Sequence, residues 1–182
     1  MVKVLGRLAV VSVLLSGCAA HKAEQKPAVA EKSAQQQQPR RYVDPELGFE
    51  IARPSGQWAL NATDEQTMEG VSIPVVLQHK ISGAQVVVQV APAVATPTQF
   101  AQRITEGLRS RPGFTTTDPE PLSYSDSAVG FNFAMENKVK GRVAVLTGKS
   151  GRVYMMLATW PTGASDAVSG NIEEIFQSLR VL

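Results

Sequence analysis

The stretch Arg152-Val153-Tyr154-Met155-Met156-Leu157-Ala158-Thr159-Trp160 limits the fold more than any other part of the chain. In an extended strand, successive side chains point to opposite sides. Val153, Met155 and Leu157 then share one face, and Tyr154, Met156 and Trp160 share the other. A sheet wetted on one side alternates apolar and polar residues, so a strand apolar on both sides must be covered on both. The chain is therefore expected to build a sheet that forms the middle of three layers.

Neighbouring segments supply the rest of that sheet. Gly141 to Thr147 is a second β-rich run, joined to the first through Gly148-Lys149-Ser150-Gly151, a hairpin signal. Val71 to Ile81 and Ala84 to Ala91 read as another hairpin turning at Ser82-Gly83. Ala128 to Glu136 gives a strand with Val129, Phe131, Phe133 and Met135 on one side, and Phe49 and Ile51 open the domain as a shorter strand closed by Pro54. Hairpin connections predict a largely antiparallel sheet.

Two helices can provide the covers. Thr96-Pro97-Thr98-Gln99 carries an N-cap threonine, a proline at the first helical position and a glutamine at capping-box spacing. Phe100, Ile104 and Leu108 then recur on one stripe, and Arg111-Pro112-Gly113 ends the helix. A second helix starts near Ser165-Asp166, with Val168, Ile172, Ile175, Phe176 and Leu179 facing inward. The expected fold class is α+β: an α/β/α sandwich with a central, largely antiparallel sheet flanked by helices.

Composition matters for what precedes this domain. At 43% hydrophobic and 19% charged, the 182-residue chain is not disordered throughout. No apolar run reaches the roughly 20 residues of a membrane-spanning helix. Residues 1–40 carry six Lys/Arg against two Glu, whereas 41–182 carry twelve Lys/Arg against fourteen Asp/Glu. The basic pI belongs to the N-terminal part, and a mildly acidic domain gives no reason to expect nucleic acid as a partner.

Lys3 and Arg7 precede the apolar stretch Leu8 to Leu15, the arrangement of a secretory signal peptide. The stretch closes on Leu15-Ser16-Gly17-Cys18, which resembles the lipobox of bacterial lipoproteins. That resemblance implies a diacylglycerol on the Cys18 thiol, cleavage before Cys18, and usually acylation of the new amino terminus. Several acyl chains on one residue make release from a bilayer negligible, since each buried methylene contributes about 0.8 kcal/mol. By the same resemblance, Ala19 rather than aspartate after the cysteine implies the periplasmic leaflet of an outer membrane, in a cell that has one. From Ala19 to Arg41 the chain is rich in Ala, Gln, Lys, Glu and Pro and is expected to be a disordered tether. A chain of that length averages roughly 25–30 Å end to end. The expected organisation is thus a signal peptide over 1–17, lipidated Cys18 and tether over 18–41, and a globular domain over 42–182.

The opening of that domain, Tyr42-Val43-Asp44-Pro45-Glu46-Leu47-Gly48-Phe49-Glu50-Ile51 followed by Pro54 and Trp58, resembles the start of the PsbP/Mog/DcrB-like superfamily. The order of strands, middle helix, long hairpins and a closing helix running into Leu179-Arg180-Val181-Leu182 fits the same family. The resemblance implies an α/β/α sandwich around an antiparallel sheet, and binding or scaffolding rather than a named partner.

Chemistry-bearing motifs are few. Of the two histidines, His21 lies in the tether and His79 near a strand end, where a surface or edge role is the ordinary one. Gly148-Lys149-Ser150 echoes a phosphate-binding loop, but the motif needs a glycine where Val143 stands and a helix where a strand follows. Asp64-Glu65 and Glu173-Glu174 are adjacent pairs whose side chains diverge. No catalytic residue, metal site or cofactor is expected. Trp58, Tyr154 and Trp160 are candidates for a partner-binding surface, since large aromatics dominate hot spots, with core packing as the other reading. Asp118-Pro119-Glu120-Pro121 is a rigid acidic loop. The sequence points to a non-enzymatic, lipid-anchored envelope protein that binds or scaffolds another, so far unknown, envelope protein or complex. The alternative is a carrier of a small molecule or lipid, with a pocket between sheet and helix lined by Met155, Met156 and Phe131.

Overall fold

The computed structural model describes residues 40–66, 70–148 and 151–182, with the side chains of 64–66 excepted. The leader, Cys18, most of the tether, His21, the Asp64-Glu65 side chains and Lys149-Ser150 lie outside the described residues.

Eleven strands and two helices follow one another along the described chain: β1 (Arg41–Asp44), β2 (Phe49–Ala52), β3 (Trp58–Gln66), β4 (Ser72–His79), β5 (Gln85–Pro92), α1 (Pro97–Arg109), β6 (Phe114–Thr116), β7 (Glu120–Pro121), β8 (Ala128–Met135), β9 (Val139–Thr147), β10 (Arg152–Pro161), α2 (Asp166–Ser178) and β11 (Arg180–Val181). Eight strands form the main antiparallel sheet. Its order is β3-β4-β5-β10-β9-β8-β6, with the short β7 also on β8. The doubly apolar strand β10 sits at its centre, as expected, between β5 and β9. The fold is α+β.

The three layers follow from the two faces of β10. On one side Val153, Met155 and Leu157 join Val143, Val145 and Phe131 beneath Ala101, Phe100, Ile104 and Leu108 of α1. On the other, Tyr154, Met156 and Ala158 join Val75, Leu77, Val86 and Val88 beneath Val168, Ile172, Ile175 and Phe176 of α2. Each such side chain contributes roughly 1.5–3 kcal/mol when fully buried, before chain entropy is set against it. Helix α1 begins with the expected capping box: Thr96 Oγ1 accepts from Gln99 N, and Gln99 Oε1 accepts from Thr96 N, both at 3.2 Å.

Beyond the short strands β6 and β7, which alternation did not show, three features differ from the expectation. Helix α2 stops at Ser178; Leu179 turns to extended backbone, and Arg180–Val181 pairs with β2 instead of prolonging the helix. With β1 this makes a separate three-stranded sheet, β1-β2-β11, on the α2 side. Strand β1 also takes in Arg41, which composition had left with the tether. Finally, β3 is a nine-residue edge strand that alternation did not reveal. After Trp58 and Leu60 its sequence turns polar, because an edge strand need satisfy only one neighbour and one buried face.

Candidate functional site

Two of the three aromatic candidates are core residues, and the third packs partly buried against that core. Trp58 and Tyr154 are 0% exposed and Trp160 is half-buried against the same cluster. The small sheet and α2 together cover the face on which they lie. Trp58 meets the His79 ring edge-on at 5.3 Å, and Phe49 lies 6.0 Å from Tyr154 and 5.7 Å from Tyr42, centroid to centroid.

Tyr154 instead holds the opening phrase of the domain in place. Its hydroxyl donates to Leu47 O at 2.8 Å, while Arg152 Nη1 donates to Glu46 O at 2.8 Å. The turn they grip is closed by Asp44. Its Oδ1 accepts from Leu47 N at 2.8 Å, its Oδ2 accepts from Tyr42 Oη at 3.0 Å, and its carbonyl accepts from Gly48 N at 2.8 Å. Gly48 sits at φ +74°, a left-handed conformation that side chains rarely adopt. The residues carrying the family-like phrase are thus accounted for as a clip between the two sheets.

His79 is buried and bonded at both nitrogens. Its Nδ1 lies 3.1 Å from Ser82 N and 2.9 Å from Ser82 Oγ, and its Nε2 lies 3.2 Å from Gln57 Oε1. A backbone N–H only donates, so Nδ1 is an acceptor, and Nε2 carries the proton that Gln57 receives. The sequence reading missed the pairing with Ser82, whose only signal is its position three residues on, across the turn. The neutral amide of Gln57 stands where a carboxylate would be needed to steady an imidazolium. The arrangement therefore locks the β4–β5 turn rather than activating Ser82. Among the described residues no group of three or more His, Cys, Asp or Glu comes together around a cation position. No described helix is long and apolar enough to cross a membrane.

The acidic segment 118–121, expected as a loop but ending in the short strand β7, borders a cleft of about 170 Å³ lined in part by Thr117, Glu120, Leu122, Asn132 and Arg142. Its charges are largely engaged. Asp118 pairs with Arg109 at 2.7 Å; Arg142 pairs with Glu173 at 2.7 Å and lies over the Phe176 ring, 5.7 Å from its centroid. Beside this pair, burial pushes the Tyr124 hydroxyl up to about 12, with Arg142 pulling it down and Glu173 adding to the rise. Among the described residues that buried hydroxyl has no hydrogen-bond partner. The pocket expected for a carrier does not form from its three residues: Met155 and Phe131 face α1, whereas Met156 faces α2. Adjacent positions of one strand cannot line one cavity.

No family model matches the chain, and no curated protein matches it. Among solved structures, a point mutant of the protein Mog1 superposes on 74% of this chain and 90% of its own, with a TM-score of 0.50 and 10% sequence identity. The fold is Mog1-like. At that identity the likeness concerns the path of the chain and carries no function with it. The Mog1-like frame agrees with the architecture implied by the phrase at Tyr42 to Ile51.

Proposed function

We propose that the chain is a bacterial envelope lipoprotein, anchored through Cys18, whose Mog1-like domain binds or scaffolds another envelope protein without catalysing a reaction. The single observation that carries this reading is the order of the first eighteen residues. A basic start (Lys3, Arg7), an apolar stretch of signal-peptide length and Leu15-Ser16-Gly17-Cys18 follow one another at the spacing that lipoprotein processing needs. The periplasmic leaflet of an outer membrane is the proposed address. The domain side is supported by its chemistry: the buried His79 serves a turn, and beside the cleft Asp118 pairs with Arg109 and Arg142 with Glu173.

The test is Cys18→Ser in the producing cell. The wild-type chain should begin at residue 18, carry acyl mass and enter the detergent phase; the variant should retain its first seventeen residues and lose the acyl mass. A Cys18→Ser protein with unchanged mass and detergent partitioning would overturn the assignment. Crosslinking in cells should then yield one dominant envelope protein. A small molecule retained through purification, with no crosslinked partner, would favour the carrier instead.

A further inference from the structure

The charges of the described domain are sorted by end. Antiparallel pairing sets the start of β3, the β4–β5 turn, the end of β10 and the β8–β9 turn at one end of the main sheet. The chain enters the domain at this same end. Arg40 O accepts from Arg53 N at 2.9 Å, Arg53 Nη1 donates to Trp58 O at 3.0 Å, and Lys80 N donates to Gln57 O at 2.9 Å. Lys138 and Lys140 stand across the end of β10, where Thr162 N donates to Lys138 O. Arg111 joins them through Gly113, whose carbonyl accepts from Glu136 N. Among the described residues, Arg40, Arg53, Lys80, Arg111, Lys138 and Lys140 stand at this end with Glu136 and Asp166; Glu136 pairs with Lys138 at 3.0 Å and Glu50 with Arg41 at 2.8 Å, and the balance that remains is basic. The opposite end reverses the sign, with Asp44, Glu46, Glu120 and Asp126 against Arg152 among the described residues. Exposed aliphatics stand at both ends, Ile81 at one and Val94 and Leu182 at the other. Charge is what distinguishes them.

We propose that the basic end, from Arg40 and Arg53 across Lys80 and Ile81 to Lys138 and Lys140, is a docking face for the anionic headgroup surface of a bilayer. This rests on the Cys18 anchor proposed above. An anchor preceding Arg40 delivers the domain to the membrane with this end leading. Each Lys or Arg close to an anionic surface raises the docked population about fivefold, so a few acting together overcome the freedom of the tether. The domain would stand with its acidic end turned away from the lipid and open to a partner.

Backbone hydrogen exchange on the full protein as purified from membranes tests the face. The protein is held on vesicles of phosphatidylcholine alone, or with about 30% phosphatidylglycerol. On the anionic vesicles, exchange over 80–84 and 136–140 should slow at least about fivefold while 92–96 is unchanged. About 0.5 M salt should abolish the slowing, because exposed charges are screened within a few ångströms. Lys80→Glu with Lys140→Glu should abolish it too; Arg103→Glu, on the exposed face of α1, should not. No slowing on anionic vesicles, slowing indifferent to salt and charge reversal, or slowing at 92–96 instead would overturn the docking face. The mass of the N-terminal peptide reads the anchor separately. If Cys18 proves unmodified, the anchor reading fails. The same chain, coupled through its Cys18 thiol to a maleimide lipid, then gives the same exchange comparison and still decides the face.

Discussion

The Tyr154 hydroxyl reaches from the centre of the main sheet to the carbonyl of Leu47, 107 residues earlier, and donates to it at 2.8 Å. The ring of the same residue is 0% exposed and packs against Phe49. One side chain thus fills the core with its body and satisfies a turn with its tip. Tyr154→Phe keeps the ring and removes the donor. It should cost about 1 kcal/mol, read as a lower urea midpoint with an unchanged slope. An unchanged midpoint would show that the clip stands without it.

Phe133 and Gly141 face one another in the β8–β9 pair, and a Cβ built on Gly141 would overlap the Phe133 ring. The bare glycine lets the ring lie across the neighbouring strand. Gly141→Ala should destabilise by about 1–3 kcal/mol through overpacking. With Phe133→Ala alongside, the double variant should lose less than the two single losses added together, because the clash is removed with the ring. Strict additivity in thermal or urea unfolding would contradict this packing.

The capping box at α1 gives a local test. Thr96→Ala removes the acceptor for Gln99 N and should cost about 1 kcal/mol, whereas Thr96→Ser should restore most of it. The comparison is of melting temperatures at one pH.

Tyr124 carries a sign-definite pH prediction. Its hydroxyl stays protonated in the folded state to about 12, against 10.0 for the free group. Below pH 10 both states hold the proton and stability is unaffected by this group. As the pH rises from 10 towards 12 the unfolded chain ionises first, so stability falls across that window. Tyr124→Phe should flatten this part of the decline. At neutral pH it should raise stability by about 1 kcal/mol, since it also removes a buried hydroxyl that has no partner among the described residues. Urea midpoints at pH 8 and in the alkaline window, for both proteins, make the measurement.

Much of the frame was legible because its signals are local. Both faces of β10, the stop at Arg111-Pro112-Gly113 and the capping box depend on residues within a few positions of one another, and each stands where periodicity put it. The edge strand β3 was not legible, for past Leu60 its sequence is polar and it pairs along one side only, with β4. The end of α2 was missed because Leu179 to Val181 is as compatible with helix as with strand. Only pairing with β2, far away in the chain, selects the latter. The aromatic candidates could be named from residue type but not sorted into surface or core. That depends on whether another layer lies over them.

The order of residues alone determined that a sheet had to be sheltered on both sides and which helices could do the sheltering, and it carries the proposal that the first eighteen positions are an address. Tertiary structure decided which aromatics vanish into the core, that the chain's last residues close a second sheet, and that basic groups scattered between Arg40 and Lys140 meet at one end. The physical reason is range. Backbone preference and alternation act over a few residues, whereas burial and charge sorting come from groups that only the folded chain brings together.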